Sequence, residues 1–299
     1  MRFWSATLAL ALALGGCRYS KPGSVLVDPE LAALVPPDTT FALGADLDAI
    51  RGTHLFQKYL REFPLPQLDE FARKTGVDPR KDLKQILSCS NGKTALFLAR
   101  GKFDSGNRVQ IEGLNRSTYK GRTMFGNEQS GVLFWNSTTA IGGRTSDLRA
   151  LADSGARSGG LPAALRDKVA SVGPNSQVWA AFIGGLQNVN LGVSEQSTVG
   201  QVLHILRGID NGTLGINLSN GFDLHILVEC HTLNDAKHVH DAVRGVIGLG
   251  RLNTPDNQPE MLKLFDAIQV KQDQTKVEVT AQIASDLEDK FLDLWLKPR

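Results

Sequence analysis

The sequence predicts an α+β protein made of two similar lobes, each an antiparallel sheet with packed helices. Three observations predict it. Apolar runs of strand length recur, and several are joined by short turns of hairpin type. Capping boxes and Pro-first segments place helices between those runs. Finally, three short patterns occur twice, at offsets of 137, 120 and 139 residues. Val35-Pro36-Pro37-Asp38 before Phe41 resembles Val172-Gly173-Pro174-Asn175 before Val178, Asn91-Gly92 resembles Asn211-Gly212, and Ser146-Asp147-Leu148 resembles Ser285-Asp286-Leu287. A diverged duplication produces such pairs, and so does the recurrence of common turn residues.

In the first lobe, 40–45 reads as a strand and 47–50 as a helical turn. The segment 53–63 reads as a helix behind the cap Thr53, with Leu55 and Tyr59, and with Phe56, Leu60 and Phe63, at helical spacing. A helix over 66–75 ends at Gly76, and Asp78 with Pro79 predicts a further short helix. Strands follow at 94–103, 119–125, 131–135 and 139–143, then a helix at 144–153. Ser154 to Gly160 is rich in Gly and Ser and marks the boundary between lobes.

In the second lobe, strands are expected at 177–183, 213–218, 223–229, 268–271 and 276–283, with a helix at 198–208. Thr232 and Asp235 form a capping box for a helix to about Gly248, with an apolar stripe through Ala236, Val239, Val243, Val246 and Ile247. Ser285 and Glu288 open the last helix in the same way.

The N-terminus carries the clearest functional signal. Met1 and Arg2 precede an apolar run from Ala6 to Leu14, and Leu14-Gly15-Gly16-Cys17 follows. A run that short does not span a bilayer core of ~30 Å, so it reads as the core of a signal peptide. Leu14-Gly15-Gly16-Cys17 resembles the lipobox of bacterial lipoproteins. The resemblance implies cleavage after Gly16 and acylation of the Cys17 thiol, a palmitate-type anchor on a membrane. Two or three acyl chains hold stably, whereas one is marginal at ~0.8 kcal/mol per methylene. Arg18 then stands second in the mature chain. In proteobacterial lipoproteins an Asp there retains the protein at the inner membrane, so the resemblance implies the outer membrane, facing the periplasm.

The division that follows is 1–16 signal peptide, 17–35 lipidated tether, 36–155 first lobe, 156–172 linker and 173–299 second lobe. Pro22, Gly23, Pro29 and Pro36 break regular structure in the tether, although 29–34 has room for a helical turn. The Pro-Pro-Asp segment, Arg51-Gly52-Thr53, Thr75-Gly76-Val77-Asp78-Pro79 and Ala99-Arg100-Gly101-Lys102-Phe103-Asp104 together resemble a group of bacterial envelope lipoproteins. Those motifs lie mainly in the first lobe and imply no catalytic residue.

Charge narrows the function classes. The chain of 299 residues has 33 Lys+Arg against 31 Asp+Glu, a formal charge of +2. That balance argues against a nucleic-acid partner, whose affinity draws on clustered cations. Phosphate-loop, dinucleotide, zincin and nucleophile-elbow motifs are missing. Two S-x-x-K sequences, Ser90 to Lys93 and Ser117 to Lys120, fall on a turn and a strand, not on the helical turn that a Ser-Lys dyad needs.

His231, Asp235 and His238 form the best metal-like set, but His231 precedes the helix cap and the bland reading is a solvated helix face. Asp46 with Asp48 and Asp286 with Asp289 sit where helix dipoles favour carboxylates. Cys89 and Cys230 read as buried thiols or as one disulfide between lobes. The expectation is therefore a lipoprotein of the cell envelope with a non-enzymatic binding or structural role, without cofactor, metal or catalytic residues. Its one assigned site is the lipidation point Cys17, its membrane contact is that anchor, and a protein or ligand partner is left unspecified. The alternative is a periplasm-facing hydrolase or metal-dependent enzyme.

Overall fold

The computed structural model describes residues 26–61, 66–104, 109, 111, 113–155, 160–185, 207–255 and 257–296. Its centre is one antiparallel sheet of 12 strands in the order β11-β12-β10-β9-β8-β1-β2-β3-β7-β6-β5-β4. The first seven strands are β1 (Phe41–Asp46), β2 (Leu83–Ser90), β3 (Ala95–Gly101), β4 (Asn115–Tyr119), β5 (Arg122–Gly126), β6 (Ser130–Phe134) and β7 (Thr139–Arg144). The other five are β8 (Val178–Phe182), β9 (Ile209–Asn217), β10 (Phe222–Cys230), β11 (Ile268–Asp273) and β12 (Lys276–Ile283). The α+β class with antiparallel pairing is what the sequence predicts.

Both halves of the sheet follow the same order outward from the centre. One runs β1, β2, β3, β7, β6, and the other runs β8, β9, β10, β12, β11. Each half ends its sequence of strands with a helix, α4 (Thr145–Ser154) after β7 and α8 (Ser285–Leu296) after β12. The halves meet where β1 pairs with β8, Leu43 opposite Ala180. The expected lobes 36–155 and 173–299 are thus halves of one sheet, not two sheets, because the edge of β1 not used by β2 bonds β8. By sheet position β3 corresponds to β10. The Asn91 and Asn211 pairing therefore fails: Asn91-Gly92 is the turn between β2 and β3, while Asn211 and Gly212 lie inside β9.

Both faces of the sheet are covered, so strands such as Phe41-Ala42-Leu43-Gly44-Ala45 are apolar throughout, not alternating. On one face Ala42, Leu87, Leu98, Ile141 and Trp179 pack against α1 (Pro29–Ala32), α4 and α5 (Ala163–Ser171). This cluster runs across both halves and includes Leu31, Leu148 and Leu165, each fully buried. The opposite face carries two clusters. In the first half Leu83, Phe125, Phe134 and Ala140 pack with Val77 and Leu47, the latter from α2 (Leu47–Arg51). In the second half Val228, Val277 and Val279 pack under Ala236 and Val239 of α6 (Leu233–Leu252).

Two expected boundaries are corrected by burial. Residues 26–35 are not tether: Val27, Leu31, Leu34 and Val35 are all buried. The spacing of Leu31, Leu34 and Val35 is that of one helix face, and Asp28 caps the turn by accepting the N–H groups of Glu30 and Leu31. Within the expected linker 156–172, residues 163–171 are not linker either: they form α5, which buries Leu165 and Val169, one turn apart.

Local chemistry explains smaller differences. Residues 79–82 form a hydrogen-bonded turn, not a helix, with the N–H groups of Lys81 and Asp82 both donating to the Asp78 carbonyl. The strand expected at 119–125 is a hairpin, turned at Lys120 and Gly121 with φ of 49° and 75°. Two successive positive φ values are the mark of a tight hairpin turn. Within the segment expected as a helix over 53–63 the chain makes a π-turn, Phe56–Leu60, and α3 is Pro66–Thr75. Helix α7 (Pro259–Asp266) was not expected from the sequence. The helix expected at 198–208 lies outside the described residues but for its last two.

Candidate functional site: an apolar cleft under α2 and α3

The cleft is assembled by the segment that leaves β1. Asp46 caps α2 by accepting the Ala49 N–H at 2.9 Å, so the chain turns back over the sheet at once. Leu47 and Ile50 of α2 face inward, followed by Phe56 and Leu60 from the π-turn. A π-turn adds a residue to the helical turn and often marks a functional site. Leu68 and Phe71 of α3 close the far side, and Leu83 and Ile86 of β2 make the floor. The space enclosed is about 500 Å³, within the ~300–1,000 Å³ of small-molecule sites. Phe71 is 45 % exposed, so the mouth is open to solvent.

Two arginines stand at the rim with Pro79. Arg51 donates through Nη1 to the carbonyls of Leu83 at 2.8 Å and Arg80 at 3.2 Å, and its Nη2 bonds Asp48. Arg80 donates through Nε to Asp78 at 3.0 Å and through Nη2 to Asp69 at 2.7 Å. Burial alone pushes the Asp78 carboxyl up, but the Arg80 guanidinium and backbone N–H outweigh it and hold the carboxyl below its ordinary value. The rim cations are therefore compensated, and they brace α2 and α3 to the strand. Inside the rim the side chains present hydrocarbon.

One further group of polar side chains fastens this wall. Asp289 of α8 accepts from Lys58 Nζ at 2.6 Å and lies 3.0 Å from His54 Nε2. Tyr59 Oη donates to the Asp289 carbonyl and to Asp293, at 3.2 Å each. The Lys58 ammonium holds the Asp289 carboxyl below its ordinary value against a smaller opposing effect of burial, and Asp289 raises Lys58 in return. The last helix is thereby tied to the turn whose inner face supplies Phe56 and Leu60.

The residues weighed from the sequence lie elsewhere. Ser90 Oγ donates to the Thr94 carbonyl at 2.7 Å in the β2–β3 turn. Ser117 is on edge strand β4, with Lys120 in the turn beyond it. His231 precedes α6 and stands 3.9 Å from Asp210, Asp235 meets the Thr232 hydroxyl at 2.7 Å, and His238 is exposed. Among the described residues no three His, Cys, Asp or Glu side chains are grouped to hold a metal ion. Cys89 and Cys230 are free thiols in separate clusters on opposite faces of the sheet. Burial pushes them up to about 12 and about 11 respectively. Cys17, the expected lipidation point, lies outside the described residues. Among those described, no helix is long and apolar enough to cross a membrane.

Sequence reasoning passed over the cleft because its residues read as core. Leu55 and Tyr59, and Phe56 and Leu60, were legible as helical stripes, but nothing in the spacing shows that the Phe56 stripe faces a void.

No protein-family model matches the chain, and no curated protein does. Three crystal forms of a protein named TP0453 are similar in outline. Form I has a TM-score of 0.43 at 10% identity, covering 92% of this chain and 100% of that one. Form III gives 0.44 at 12%, covering 88% and 95%, and form IV gives 0.45 at 11%, covering 91% and 97%. Likeness at that level carries no argument about function.

Proposed function

We propose that this protein is a lipid-anchored protein of the bacterial cell envelope with a non-enzymatic binding role. It is held by an anchor on Cys17 to the outer membrane and faces the periplasm. The observation that supports binding is the cleft under α2 and α3, whose wall is aliphatic and aromatic and whose two arginines already have partners. Such a wall offers an apolar ligand burial at ~25 cal/mol per Å² of area removed from water. It gives a reacting polar group nothing to bond, and an unpartnered polar group costs ~1–3 kcal/mol.

Two measurements test the reading. Cys17→Ser should move the protein from membrane to soluble fractions, or leave the precursor uncut, and should abolish palmitate labelling. Normal labelling of that variant refutes the anchor. The mature protein should also raise the fluorescence of N-phenyl-1-naphthylamine, and Ile86→Trp, which fills the cleft, should remove the rise. A rise that survives Ile86→Trp places binding elsewhere.

A further inference from the structure

The ligand of the cleft is set by its wall and by how near Leu26 lies to it. A methylene takes about the volume of a water molecule, ~30 Å³, so about 500 Å³ holds about 17 of them. Apart from the two rim arginines the lining side chains are all apolar, so a ligand's middle section is hydrocarbon. An acyl chain meets both conditions.

Leu26 lies against α2, the helix that lines the cleft. Gln85, next to the floor residue Ile86, donates through Nε2 to the Leu26 carbonyl at 2.9 Å and accepts the Asp28 N–H at 2.7 Å. Leu26 shares a small hollow with Ala49 of α2, while Leu47 and Ile50 of the same helix line the cleft. A helix is ~10–12 Å across with its side chains. Cys17 is nine residues before Leu26, and at ~3.3–3.6 Å per residue the covalent link is at most ~32 Å long. An anchor on Cys17 therefore keeps the cleft within reach of the bilayer surface.

We infer that the cleft takes one acyl chain of a membrane phospholipid, drawn from the bilayer to which the protein is anchored. This rests on the anchored binding reading above and names its ligand. The phospholipid headgroup stays outside, beside Arg51 and Arg80, which keep their carboxylate partners.

The test uses the mature, lipidated protein in vesicles of phosphatidylethanolamine and phosphatidylglycerol. A trace of phosphatidylethanolamine carries a diazirine on its palmitoyl chain, and labelled residues are mapped by mass spectrometry after irradiation. Label is expected on 47–60 and 68–86. It should fall about tenfold in Ile86→Trp, and also in Phe71→Trp, which fills the mouth from a half-exposed position. Circular dichroism confirms folding of each variant.

Label confined to other segments, or unchanged in both variants, overturns the inference. Label from free diazirine palmitate but not from the phospholipid overturns the assigned source. Label that appears only after Cys17→Ser shows that the protein's own anchor fills the cleft, which overturns it too. If N-phenyl-1-naphthylamine still binds in the cleft while the phospholipid probe fails, the binding reading stands without the acyl chain. If neither binds there, both fall.

Discussion

Gly44 of β1 lies directly opposite Trp179 of β8, and the indole occupies the space a side chain at Gly44 would need. A β-carbon there would come within 2.5 Å of the indole nitrogen. Trp179 is fully buried, and that nitrogen donates to the Leu26 carbonyl at 3.2 Å. One glycine thus lets Trp179, the largest fully buried side chain among the described residues, sit across the seam between the two halves of the sheet and bond Leu26.

Gly44→Ala should destabilise the fold by at least ~1–3 kcal/mol, the range for overpacking a core. Trp179→Ala should cost ~3–5 kcal/mol through the cavity it leaves. Urea unfolding followed by circular dichroism checks both. An alanine at 44 with unchanged midpoint would mean that the indole moves aside without loss.

Gln85 is buried, and both ends of its amide bond backbone groups of residues 26 and 28. Gln85→Ala leaves the Asp28 N–H without its partner and the Leu26 carbonyl with the Trp179 indole alone, at ~1–3 kcal/mol. Hydrogen exchange at Asp28 should quicken more than exchange in β10, which is remote from the substitution. Equal acceleration at both places would show global loosening instead.

Glu288 of α8 is buried, and burial chiefly, then the neighbouring Asp289 charge, raises its carboxyl above the ordinary value, with His54 opposing. A raised folded-state value means that the uncharged form favours folding. That contribution is complete below the unfolded value of ~4.3 and is lost as pH rises through the folded one. Glu288→Gln should therefore raise the melting temperature at neutral pH, and the gain should vanish below about pH 4. A gain that persists in acid would point to packing, not charge.

The thiols of Cys89 and Cys230, pushed up to about 12 and about 11 mainly by burial, are protonated in the folded protein. The thiolate is the reactive species. Ellman's reagent at about pH 8 should react with neither at an appreciable rate until denaturant is added. Prompt reaction of Cys230 in native conditions would show that the end of β10 opens locally.

The elements were legible in the sequence where one physical signal dominated. The Thr232 cap appears as predicted, with the hydroxyl accepting the Asp235 N–H at 3.1 Å. Gly76 ends α3 at φ 71°, as a helix-terminal glycine does. The misread segments are those whose role depends on distant contacts. Residues 26–35 look like tether because prolines flank them, yet Leu31 and Leu34 are buried against strands that come later in the chain. Residues 163–171 have weak amphipathic character and follow a Gly/Ser-rich stretch, yet Leu165 completes the core of both halves. The cleft was hidden for a related reason: a pattern of apolar residues shows which side is dry, not whether that side is filled.

The seam also sets the order in which the chain can be completed. Asp46 ends β1 and Val178 begins its partner β8, so 131 residues must follow before the second edge of β1 is satisfied. A polypeptide emerging from its N-terminus passes through a stage in which β1 to β7 can pair but β1 still presents open amides and carbonyls to any passing strand. Contacts so distant in sequence form slowly. A nascent chain stalled before Val178 is thus the species most exposed to sticking to its own kind, and a holding chaperone would find its target in that bare edge.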